Sequence, residues 1–451
     1  MNRLTLLAGA ALCALPLPAH ATDLMEALAA ASRHDPTIAS AEAARDAGEE
    51  SDAQARALKR PGVQFQAGYQ YSSVESDSEL PDDLDPYFSG QRSSGQVSAG
   101  VQLVQPLYDA SKHAQSIQLH EKAAGARVKF AGEEQQLVLR VAQAYFAVLS
   151  AQDALSTSER QVDAAEEQRR AAQARFDAGR ARITDVRESE ARRDASAVQV
   201  IAAQSDLAYA KAAFTELTGL SGDALDRPSA DFRATQPTLP LDAAIAQAEA
   251  QAPGVLAAEH SARAAGADVD RYSLAGRPVL EGVAGYQGRY RLGGESGNGI
   301  VPDRVESASV GLRLSVPLYA GGGIASKERE ATANAQKALR DLDAARRDAR
   351  LQAQKAWYAQ ANGARRVAAL RTASVSAGLQ QVAAGTGLEV GIRTQKDLLD
   401  AQGQTIASER DRLQAIYDYL QARLQLAAAT GGLGEEDLIA VTRQMQGAPG
   451  A

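Results

Sequence analysis

Proline is missing from two long stretches of the chain, between Pro106 and Pro228 and between Pro317 and Pro449. A helix interior excludes proline because the ring removes a hydrogen bond and clashes with the preceding turn. Very long helices can therefore form in these stretches and hardly anywhere else. Both open directly after the same tripeptide, Pro106-Leu107-Tyr108 and Pro317-Leu318-Tyr319. Both are rich in Ala, Gln, Arg, Glu and Leu, which lose little on entering a helix. Each contains one glycine-centred break, Arg175-Phe-Asp-Ala-Gly-Arg-Ala-Arg-Ile-Thr-Asp-Val186 and Gly387-Leu-Glu-Val-Gly-Ile-Arg-Thr-Gln-Lys-Asp-Leu-Leu-Asp400. Gly179 matches Gly391, and Asp185 matches Asp397. The second break gathers three glycines, Gly385, Gly387 and Gly391. Glycine supplies the positive φ of a tight reversal, and an acid suits the start of the helix that follows. The pattern predicts helices over 110–176 and 185–217, then over 324–388 and 397–429, each pair antiparallel. In the first, Val141, Val148, Leu155, Val162 and Phe176 share a heptad position, with Arg169 the exception, and Ala144, Ala151, Ser158, Ala165 and Ala172 share its partner. Such spacing, with small residues opposite, makes a coiled-coil seam.

The matching breaks belong to a wider duplication. Leu24 to Ser40 resembles Leu241 to Ala257, Arg60-Pro61 resembles Arg277-Pro278, and Leu217-Thr-Gly-Leu220 resembles Ala429-Thr-Gly-Gly-Leu433. The expected organisation is a leader over 1–21, a first repeat over 22–220, a linker over 221–240, a second repeat over 241–433 and a tail over 434–451. The first repeat carries a longer loop around Val74 to Gln96.

Between the short opening helices and the long ones, each repeat alternates with period two. Val63, Phe65, Ala67, Tyr69 and Tyr71 face away from Gln64, Gln66, Gln70 and Ser72. Strands are predicted over 63–72, 97–105, 279–291 and 308–316. An apolar face backed by a polar one fits a strand between lipid and water, and about ten residues suffice to cross a bilayer at a tilt. Four strands cannot close a barrel, and open edges are not tolerated in lipid. Spanning strands therefore require several chains, and an open conduit requires more than eight strands, so three copies or more.

Arg3, the apolar run Leu4 to Pro18 and Ala19-His-Ala21 have the layout of a secretory leader. The single cysteine, Cys13, lies inside it, leaving no thiol chemistry for the remainder. A formal charge of −8 excludes a nucleic-acid binder of the usual basic kind.

The twin Pro-Leu-Tyr strand ends, twin glycine turns, Asp397-Leu-Leu-Asp400 and Gly434-Glu-Glu-Asp-Leu438 together resemble the TolC family of outer-membrane channel proteins. The resemblance implies an α+β membrane protein. Three copies would pool four strands each into a twelve-stranded barrel in the outer membrane, continuous with a long periplasmic α-helical coiled-coil barrel. It implies an exit duct for type I secretion or efflux. Its partners would be a periplasmic adaptor, an inner-membrane ABC or proton-driven transporter, and outer-membrane lipid, with no cofactor and no enzymatic activity. Asp397 and Asp400 match the acidic pair that rings the closed entrance. Thr184, Asp185 and Arg393 match a latch between neighbouring coiled coils. Ala178, Gly179 and Arg180, with Val390, Gly391 and Ile392, match the turns on which adaptor hairpins dock. Leu388 departs from the pattern, since the best-known latch carries Tyr there.

Other candidates are weaker. His113 and His120 lack zinc-ligand spacing. Gly321-Gly-Gly-Ile-Ala-Ser-Lys327 lacks the phosphate-loop spacing and is expected to join a strand to a helix. Asp82-Asp83-Leu-Asp85 reads as a solvated acidic loop, with calcium binding as the alternative. The alternative reading of the whole chain is a periplasmic coiled-coil scaffold or adaptor without a pore.

Overall fold

A computed structural model describes residues 22–76, 90–292 and 304–446. The leader, Cys13, Asp82-Asp83-Leu-Asp85 and residues 447–451 lie outside the described residues. In chain order the elements are α1 (Leu24–His34), α2 (Pro36–Ala57), β1 (Gly62–Ser76), β2 (Gly90–Tyr108), α3 (Ala110–Asp177) and α4 (Ile183–Thr218). They continue with α5 (Leu241–Gln251), α6 (Pro253–Ser273), β3 (Val279–Leu292), β4 (Arg304–Ser315), α7 (Gly323–Glu389), α8 (Gln395–Ala429) and α9 (Glu435–Met445). The order helix, helix, strand, strand, long helix, shorter helix occurs twice. Contacts divide the chain into two units: residues 1–43, 130–255 and 346–451 form one, and residues 44–129 and 256–345 the other.

The second unit holds one antiparallel sheet in the order β1-β2-β3-β4. Its ladders place Phe65 beside Val101, Val101 beside Tyr286 and Tyr286 beside Ala308. Phe65, Val101, Tyr286 and Ala308 thus share one face with Val63, Tyr69, Leu103, Tyr290, Val310 and Leu312, and the opposite face carries Gln64, Gln102, Gln287 and Ser309. The apolar face is open: Phe65 is 68% and Val310 90% exposed. Among the described residues, the outer edges of β1 and β4 pair with nothing.

Two strand expectations need correction. Residues 74–76 and 90–96, expected in a loop, extend the β1–β2 ladder to Ser76 against Gly90. Gly90-Gln-Arg-Ser-Ser-Gly-Gln is polar throughout, so it gives no alternation to read. β4, expected over 308–316, starts four residues earlier at Arg304 and ends at Ser315, two residues before Pro317, whereas Pro106 is tolerated in β2 at a register shift before Tyr108. Gly321 and Gly322 adopt φ of 60° and 78° and join β4 to α7.

The first unit has a real core. Tyr145, Phe146, Val148 and Leu149 of α3 are buried with Phe214 of α4, Tyr417, Tyr419 and Leu420 of α8, and Leu438 and Val441 of α9. Here the buried stripe of α3 is wide; toward the turn it narrows to small residues such as Ala165 and Ala172, while Phe176 is exposed. The segment expected as a linker, 221–240, is a strap tied into this core. Leu225 and Phe232 are buried, and the strap bonds Thr22, Met445 and Tyr419. Tyr145 donates at 3.0 Å toward the carbonyls of both Thr22 and Asp226. Beneath it, Tyr417 donates to Asp153 at 2.7 Å, and Asp153 pairs with Arg227 of the strap at 2.6 Å. Within the expected tail, residues 435–445 form the helix α9, whose buried Leu438, Val441 and Met445 pack toward α1.

Candidate functional site

The two glycine turns of the first unit are built alike. Gly179 has φ 73° and Gly391 φ 77°. Gly179 N–H bonds the Phe176 carbonyl, and Arg180 N–H bonds the Arg175 carbonyl, both at 2.8 Å. The second turn repeats this with Gly391 to Leu388 at 3.1 Å and Ile392 to Gly387 at 2.9 Å. These 5→2 and 6→1 pairs define a Schellman close, which satisfies the last carbonyls of α3 and α7. Gly431 ends α8 with the same pair of bonds. Gly385 and Gly387, expected to break the helix, lie inside α7 instead. Gly387 is there for space: a Cβ would come within 2.6 Å of Arg393 Cγ, whose stem passes over it.

After each turn an acid at the third helical position reaches back to the cap. Asp185 accepts from Arg182 N–H at 3.2 Å. Asp397 accepts from both the N–H and the hydroxyl of Thr394 at 2.8 Å, and its own N–H bonds the Thr394 hydroxyl at 3.2 Å. This reciprocal box is the stronger of the two starts, because arginine has no acceptor to offer. The Thr394 backbone and hydroxyl donors hold the Asp397 carboxyl below its ordinary 3.8, with smaller help from the Arg393 and Lys396 charges. Asp400, one turn on, is paired at 3.0 Å with Lys396. Lys396, four residues before Asp400 on the same helix face, gives the acidic pair a cation of its own.

The structure brings Thr184 and Asp185 together at 3.4 Å. It does not pair Arg393 with Asp185 within the chain. Leu388 is half-buried just before the second turn. The loops differ in surface chemistry. Ala178, Gly179 and Arg180 are exposed at the first, and Val390, Gly391 and Ile392 at the second, where Ile392 is 80% exposed. The first loop is basic and the second apolar.

No helix among the described residues is long and apolar enough to cross a membrane. The sheet, with one apolar face and two open edges, is the element suited to lipid.

Comparison with known proteins bears on both features. The family model described as outer membrane efflux protein matches residues 27–220 and 244–432. The chain is 31% identical over 445 residues to outer membrane protein TolC of Vibrio cholerae, covering 97% of each. It is 28% identical to the alkaline protease secretion protein AprF of Pseudomonas aeruginosa, covering 97% of this chain and 90% of that one. Its fold resembles the crystal structure of the outer membrane protein VceC from Vibrio cholerae, with a TM-score of 0.71 at 17% identity, covering 91% and 96% of the two chains. The family model covers most of both halves, and relatives align nearly end to end: this chain belongs to the outer membrane efflux protein family.

Proposed function

We propose that three copies of this chain form the outer-membrane exit duct of an envelope-spanning transport machine. The observation that carries this reading is the sheet of four strands, apolar on one face and polar on the other, with both edges open. Open edges in lipid each cost several unsatisfied hydrogen bonds, so β1 of one copy must meet β4 of the next. Three copies give twelve strands, wide enough to leave a channel lined by the polar face. A non-channel scaffold has no use for exposed Phe65, Val310 and Leu312 on one face of a sheet. The periplasmic adaptor and the inner-membrane pump of such a machine are the partners, and the two glycine turns are the docking surface. The passenger is a secreted protein or small toxic compounds.

The entrance is formed by the same turns. Asp397 and Asp400 of three copies approach one another, each Asp400 carrying its own Lys396. The ring therefore holds three net negative charges rather than six, and attracts cations without strong mutual repulsion. Arg393, Thr184 and Asp185 latch neighbouring copies. An exposed pair of this kind is worth about 0–1 kcal/mol, weak enough for adaptor binding to release. The test is recovery of the full chain. A heat-modifiable trimer extracted by detergent from the outer-membrane fraction supports the duct. A water-soluble monomer supports the scaffold.

A further inference from the structure

We infer that the channel face of the sheet carries an anion-attracting belt formed by Arg289 and Arg291, which engages acidic segments of a passenger on their way out. The inference rests on the trimeric duct proposed above. The alternation of β3 places both arginines on the polar face, opposite Tyr286 and Tyr290. Arg289 is exposed and Arg291 half-buried. The described side chains of that face are otherwise neutral, save for Glu281 and Arg313 at the other end of the strands. There the charges are balanced: Glu281 lies 3.8 Å from Arg313 and 3.9 Å from Lys112, and Lys112 lies 3.6 Å from Asp109. Arg289 has only a 3.4 Å bond to the neutral Gln287 side chain, and neither it nor Arg291 has an ion pair among the described residues. The acid of this region, Glu306, stands on the lipid face and is spent on Arg304.

Three copies bring six guanidinia into two rings separated by two residues, about 7 Å along the strand. Twelve strands about 4.8 Å apart and tilted about 40° enclose a bore about 24 Å across between backbones. The axis then lies about 12 Å from the wall, within the reach of an arginine side chain plus the screening length of about 8 Å at physiological salt. A multivalent anion passing there cannot avoid the field, whereas a neutral solute does not feel it. Guanidinium forks suit carboxylates, which makes an acidic polypeptide the fitting ligand.

The experiment uses purified full-length trimer in planar bilayers, with polyglutamate added on the barrel side. Wild type should be blocked at a concentration at least tenfold lower than R289Q/R291Q, and R289K/R291K should retain the block. A neutral polymer of similar size should obstruct the three proteins alike. Equal polyglutamate block of wild type and R289Q/R291Q, with normal conductance in both, overturns the belt and leaves the duct standing. A folded trimer with no conductance at all overturns the duct and the belt with it.

Discussion

Gly179 and Gly431 occupy the same position of the same Schellman close, yet only Gly431 is packed. A Cβ at Gly431 would lie 2.3 Å from the Gln251 carbonyl oxygen, while one at Gly179 would meet nothing within 4 Å. Gly179→Ala therefore carries only the left-handed backbone cost, about 1–2 kcal/mol. Gly431→Ala carries that cost and a backbone clash, and should destabilise clearly more. Urea unfolding of the two variants, compared at equal m-value, measures the difference.

The Asp153 carboxylate is buried between Tyr417 and Arg227. The burial of the Tyr417 phenol itself, and then the charge of Asp153 beside it, push that phenol above its ordinary range. Asp153→Ala strands a buried hydroxyl and should cost about 1–3 kcal/mol. Tyr417→Phe leaves Asp153 its arginine and should cost less. Thermal unfolding of the trimer gives the order.

Acid should act on Asp35. It is buried at the start of α2; burial alone would raise its carboxyl, but the Thr37 N–H and the Arg140 guanidinium outweigh this and hold it below the ordinary 3.8. A depressed folded value means that the contribution is complete above the unfolded value and is lost as pH falls through the folded one. Asp35→Asn should therefore be less stable than wild type at pH 7. The gap should close only below about pH 4. A gap that is the same at pH 7 and pH 3 contradicts the linkage.

The gate predictions follow from the turns. Leu388→Tyr should lower resting conductance by supplying the latch hydroxyl the chain lacks, and Arg393→Ala or Asp185→Ala should raise it. Asp397→Asn with Asp400→Asn should weaken block by multivalent cations while keeping an acceptor for the α8 cap. Single-channel recordings read all four. Unchanged conductance in both latch variants removes the latch from the account.

The long helices, the turns and the strand faces could be read from sequence because each rests on local rules. Proline exclusion frames α3 and α7, a positive φ demands Gly179 and Gly391, and lipid against water imposes alternation from Val63 to Tyr71. The core of the first unit could not be read so. Asp153 meets Tyr417 across 264 residues and Arg227 across 74. The strap over 221–240 looks like a linker because its only deep anchors, Leu225 and Phe232, have no periodic neighbours. The heptad positions named the seam but missed Tyr145 and Phe146, whose covering elements come from both ends of the chain. Asp400 was legible as an acid but not as half of a pair with Lys396.

The central claim is that three chains pool their strands into one conducting duct. Purified trimer from the outer-membrane fraction should insert into a planar bilayer in discrete, equal conductance steps, one per trimer, larger in Arg393→Ala than in wild type. Detergent-stable trimer that never conducts, in wild type or in Arg393→Ala, would contradict it.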